Sequence, residues 1–221
     1  NAGCASCHAT EAAAWNASRH KHAFDNHSFQ SALAREPEST KSFCVGCHAP
    51  EARHPRSEAT ELGVACITCH TPLGPVLASA VTGKAPHGTF ASADFRSTNT
   101  CKRCHEFEFP RHGGFMQRTI SEHGAANSEA TCVSCHMPSG AQSHAFPGGY
   151  DEALLKKALL VRAEHRACNA VLTLTPNGVT HAVPTGDLFR RLAVRVTADG
   201  GLTTTRYLAR HFMLQGGRRI E

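Results

Sequence analysis

The pentad C-x-x-C-H occurs five times in this chain: CASCH (Cys4 to His8), CVGCH (Cys44 to His48), CITCH (Cys66 to His70), CKRCH (Cys101 to His105) and CVSCH (Cys132 to His136). The repeats take ten of its 11 cysteines, and a histidine follows every pair. Zinc sites join two such knuckles around one ion, so a fifth would be stranded, and they do not require the trailing histidine. A thioredoxin-like dithiol occurs once, in a βαβ setting. Disulfides could use any spacing. Covalent haem c explains the pattern: two cysteines form thioethers with the porphyrin, and the adjacent histidine reaches the iron. The expected cofactors are five covalently bound haem c groups, held by Cys4, Cys7, Cys44, Cys47, Cys66, Cys69, Cys101, Cys104, Cys132 and Cys135. His8, His48, His70, His105 and His136 are the expected proximal ligands.

Aliphatic residues mark a boundary. Leu, Ile and Val number eleven in residues 1–150 and eighteen in 151–221. The first region lacks the means for an ordinary aliphatic core and is expected to fold around its porphyrins as a mostly irregular and α-helical domain. The second is expected to be a small antiparallel β module, and its ending in HFMLQGGRRIE reads as a module cut short. Domains are therefore expected at 1–150 and 151–221. The formal charge of +5 lies entirely in the tail and would be offset by the haem propionates. The arginines do not cluster with stacking aromatics, which argues against nucleic acid as a partner. No apolar run reaches transmembrane length. Because bacteria attach haem outside the cytoplasm, Asn1 is expected near a processed N-terminus, and the protein in the periplasm or at the outer surface.

Motif spacings of 40, 22, 35 and 31 residues fit no simple tandem repeat. EAAAWNASRHKHAF predicts a helix behind the first motif, with His20, Phe24 and His27 on one face. Residues 71–89 and 137–149 read as loops and HGGF (His112 to Phe115) as a turn. DEALLKKALLVRAEH reads as a short helix running into a strand. AVLTLTP, RLAVRVTA and LTTTRYLA read as strands, with NG and DGG as turns.

CASCHATEAAAWNASRH resembles the opening of the multihaem c-type cytochromes related to the tetrahaem electron carriers of ammonia-oxidising bacteria. FCVGCHAPE and ELGVACITCH resemble that group's next two motifs. CHEFEFP, MQRT, CHMPSG and SHAFPGGYDEALL resemble a larger subgroup whose β module carries HAVPTGD, here His181 to Asp187. The resemblance implies distal iron ligands at His20 (five residues after Trp15), His87, His144 and His181, with Pro184 and Gly186 holding the last loop. A fifth distal ligand is not determined by it. His123 is the first candidate, beside His54, His112 and His211, although the subgroup has an aromatic residue at His123 and a histidine at Tyr150. His22 and His27 read as supporting or surface groups, and Cys168 as a buried free thiol.

Two functions follow from these residues. Irons with two histidine ligands make an electron carrier, passing electrons between redox proteins or to an extracellular acceptor, alone or in a self-associated filament. One open iron would make a reductase or oxidase of small nitrogen or sulfur compounds. Every motif ends in histidine rather than the lysine of ammonia-forming nitrite reductases, and neither Tyr150 nor Tyr207 sits in a cross-linking motif. The carrier is the favoured expectation.

Overall fold

A computed structural model of the chain describes residues 2–81, 83–109, 113–137, 144–167, 169–215 and 218–220. His112 and Cys168 lie outside the described residues. The chain divides into two compact units: residues 1–100 with 131–147, and residues 101–130 with 148–221. The segment 101–130 groups with the tail.

The first unit opens with α1 (Ala2–Ala5), α2 (Ala9–Asn16), α3 (His27–Leu33) and α4 (Glu38–His48). After a 3-10 turn at Glu58–Leu62 come α5 (Cys66–His70) and two three-residue strands that pair in parallel, β1 (Val76–Ala78) inside the expected loop 71–89 and β2 (Thr89–Ala91) beginning at its last residue. Its last helix in sequence lies at Cys132–His136. Helices this short do not stand alone in water, and local caps hold several of them. The Asn26 side chain accepts from the Phe29 N–H at the start of α3. The Thr68 hydroxyl accepts from the Ala65 N–H ahead of α5. Thr131 and Ser134 cap one another's backbone around the fifth motif.

α2 ends at Asn16, so the expected long helix breaks before His20. Beyond Asn16 the chain is held by long-range bonds. The His20 carbonyl accepts from the Val64 N–H at 2.8 Å, and the Trp15 indole donates to the Val64 carbonyl at 2.8 Å. Gly63, at φ +58°, lets the two strands of chain touch: a Cβ there would collide with the carbonyl oxygens of His20 and Lys21.

The second unit contains α6 (Asn99–His105, entering from the first unit), β3 (Glu106–Glu108), β4 (Phe115–Arg118) and α7 (Thr119–Ala125). We number the Cys132–His136 helix α8. α9 (Glu152–Ala158), capped by Asp151, runs directly into β5 (Leu159–Arg166), as the sequence predicts. β6 (Asn169–Pro176), β7 (Arg191–Thr197), β8 (Thr203–Ala209), β9 (Met213–Gln215) and β10 (Arg218–Ile220) complete it. The β module consists of separate antiparallel pairs, β5 with β6, β7 with β8 and β9 with β10. The DGG turn joins β7 to β8, with Gly200 and Gly201 at φ +92° and +86°. The NG pair follows β6 instead of closing a hairpin.

Little of this polypeptide buries itself. The buried apolar side chains among the described residues are Trp15, Leu33, Val45, Ala49, Ala52 and Ala65. Val45, Ala49 and Ala52 form one cluster, with Phe24 and Ala59 against it. Among the described residues, no helix is long and apolar enough to cross a membrane.

Candidate haem sites

Helical winding puts cysteines three apart on the same face, so each C-x-x-C can present both sulfurs to one edge of a flat ring. The second, third, fourth and fifth motifs are helical throughout, and the first begins in α1 and ends just beyond it. None of the ten motif cysteines is in a disulfide. Burial pushes the Cys44, Cys66 and Cys69 thiols above their ordinary range. The next influences are Glu36 on Cys44, Cys4 on Cys66, and Cys66 on Cys69. The action of Cys4 on Cys66 puts the first and third motifs within electrostatic reach of each other.

Three motif histidines are oriented alike. His48 Nδ1 lies 2.7 Å from the Ala23 carbonyl, His70 Nδ1 2.8 Å from that of Leu77, and His136 Nδ1 2.6 Å from that of Pro147. A carbonyl only accepts, so Nδ1 carries the proton and Nε2 keeps its lone pair for a metal. Ligating histidines are commonly oriented in this way. Flat neighbours fix two of these rings further: Phe29 stacks on His48 at 3.7 Å and Phe95 on His70 at 5.0 Å.

Two expected distal ligands face motif histidines. His87 stands 6.4 Å from His8, centroid to centroid, with 47° between the ring planes. His144 stands 6.2 Å from His70, at 39°. Two imidazoles on opposite sides of one iron, with bonds of about 2 Å, have centroids about 6.3 Å apart. Among the described residues, no three His, Cys, Asp or Glu side chains gather as they would around a bare ion. These histidines meet in twos, matching the two axial positions a porphyrin leaves. The donor set fits haem.

The other expected ligands lie as follows. His20 is half-buried, its ring edge-on to Phe146 at 4.3 Å. His181 and His123 are both in the second unit with the fourth motif. His181 Nδ1 donates to the Ala182 carbonyl at 2.9 Å, leaving Nε2 as the acceptor nitrogen. His123 Nδ1 lies 2.7 Å from the Thr180 hydroxyl, beside His181 in sequence. His54 is exposed, and its Nδ1 accepts from the Arg56 N–H. His211 is exposed as well. His22 has Nδ1 against Asp25 and Nε2 against the Asn16 carbonyl, so oxygens engage both nitrogens.

Sequence reasoning missed the group that holds the His181 loop. Glu122, on α7, accepts through Oε2 from the Ala182 N–H at 3.1 Å and the Thr185 hydroxyl at 2.6 Å, and through Oε1 from Arg118 at 3.2 Å. The Thr119 and Thr185 hydroxyls meet at 2.9 Å. Arg210 donates to the carbonyls of Phe115 and Met116 in β4 and of Gly186 in the loop. These bonds explain why 101–130 belongs with the tail. A lone Glu at the centre of a seven-residue helix carries no sequence signature of such a role.

The fold is one that a solved multihaem cytochrome shares. The chain is similar in structure to a penta-heme cytochrome c552 from Thermochromatium tepidum, with a TM-score of 0.74 and 22% identity over 98% of this chain and 79% of that one. Residues 3–71, under a third of the chain, match the family of cytochrome c554 and c-prime. No curated protein matches the sequence.

Proposed function

We propose that this chain is an exported electron-transfer protein carrying five haem c groups, most of them ligated by two histidines. The single observation that carries the reading is the spacing of His8 from His87 and of His70 from His144, 6.4 and 6.2 Å between centroids. Haem supplies a one-electron ferric–ferrous couple when bound. The chain's own part is to hold each ring system by two sulfurs, close both axial positions with imidazole, and fix those imidazoles so that they do not reorganise. His70 illustrates this: the Leu77 carbonyl fixes its tautomer, Phe95 restrains its plane, and His144 stands opposite.

In this reading His20 and His181 are the further distal ligands and His123 takes the remaining place. Redox proteins, an extracellular acceptor or further copies of the chain are the partners, in the periplasm or at the outer surface. Intact mass and low-temperature electron paramagnetic resonance of the matured ferric protein test the proposal. Five haem additions and predominantly low-spin signals are expected; fewer additions, or mainly high-spin iron, would overturn it.

A further inference from the structure

Four consecutive residues, His144 to Pro147, touch three histidines that the chain draws from far apart. The His144 ring faces His70 at 6.2 Å. The Pro147 carbonyl accepts the Nδ1–H of His136 at 2.6 Å. Between these anchors, the Phe146 ring lies edge-on to two imidazoles, His20 at 4.3 Å and 67° and His144 at 5.8 Å and 87°.

The backbone at Phe146 is itself unusual. Its φ is +49°, in the left-handed region, where a bulky side chain is a rare outlier and glycine sits easily. A turn needing only this conformation would be made better by glycine, and Gly148 and Gly149 lie two and three residues further on. An outlier held by its surroundings points to a role for the side chain. Edge-to-face contacts between rings have preferred angles, so one phenyl touching two imidazoles restrains the rotation of both.

We propose that Phe146 is a shared positioning residue: its ring sets the planes of the His20 and His144 imidazoles together, so that the two irons they serve are tuned as a pair. This rests on the reading of His20 and His144 as axial ligands. The angle between the two axial imidazole planes governs the splitting of the ferric d orbitals, and with it the g-values of a low-spin centre. A change at Phe146 therefore reaches two centres without removing a ligand from either.

The test uses the matured holoprotein. His20→Ala and His144→Ala are made first, each expected to turn one low-spin signal high-spin and so to label its centre. Phe146→Leu keeps the apolar bulk but loses the flat edge. It is expected to shift the principal g-value of both labelled signals while the haem count and the number of low-spin centres stay as in the parent. Phe146→Gly, which suits the backbone, is expected to shift the same pair, and Phe146→Tyr to retain the parental signals. If neither histidine variant produces high-spin iron, the ligand reading falls and takes this proposal with it. If the labels appear but Phe146→Leu moves one signal or none, or Phe146→Gly behaves as the parent, only the proposal falls.

Discussion

The His70 and His144 rings stand 6.2 Å apart, centroid to centroid, although 73 residues separate them and α6, β3, β4 and α7 lie between them in the chain. On the proposed ligation, removing His144 leaves its partner in place: Phe95 and the Leu77 carbonyl still hold His70. His144→Ala is therefore expected to keep all haems covalently attached and turn one centre from low-spin to high-spin. Intact mass reads the first result and electron paramagnetic resonance the second. A spectrum identical to the parent's would remove His144 from the ligand set.

Gly63 should tolerate no side chain. A Cβ there meets the carbonyl oxygens of His20 and Lys21, and φ is +58°. Strained backbone alone costs about 1–3 kcal/mol, and the collision adds to it. Gly63→Ala is expected to lower the melting temperature clearly and to displace His20, because Val64 hydrogen-bonds to the His20 carbonyl. Thermal melting followed by circular dichroism checks the first effect; unchanged stability would contradict the packing described.

Glu122 should matter far more than its position on a short helix suggests. Hydrogen bonds to a charged group are worth about 1.5–3 kcal/mol each, and the Glu122 side chain is only 12% exposed. Glu122→Ala is expected to destabilise the second unit by roughly 2–4 kcal/mol. Amide exchange at Ala182 should accelerate, since its N–H loses its acceptor. Exchange at Val45, buried in the first unit, serves as the internal reference. Acceleration at both sites alike would mean that Glu122 has no local role.

Loss of one porphyrin should be felt as loss of core. Cys66→Ala with Cys69→Ala is expected to give a protein one haem lighter, with a lower melting temperature and greater protease sensitivity. The physical reason is the scarcity of buried side chains: Ala65, next to the third motif, is one of the few. An unchanged melt would show that the first unit is stable without that ring.

The parts legible in the sequence were those fixed by local chemistry. Thioether attachment demands two cysteines and a histidine within five residues, so the expected attachment sites could be written down directly. The step from α9 into β5 was legible too, because leucines at helical spacing (Leu154, Leu155 and Leu159) run on into LLVRAEH, a stretch that also reads as a strand. The break of α2 was not. The alanines favour continuing the helix, and the bonds that hold the chain beyond Asn16, from the Trp15 indole and the His20 carbonyl to Val64, 44 residues downstream of His20, form only in the fold. Phe146, Glu122 and Arg210 were invisible for the same reason: each acts through partners that only the fold assembles.

The chain passes between its two compact units after residues 100, 130 and 147, and this interleaving bears on how the protein can be made and altered. A gene fragment ending near residue 150 would encode Phe115 to Glu122 without the tail residues that hydrogen-bond to them, and no single cut releases either unit intact. During synthesis from the N-terminus the first unit is incomplete until residue 147 has emerged, after the fourth attachment motif and α7 have already been made. Such a chain cannot lend one half to another protein as a cassette. Its two parts must be inherited and folded together.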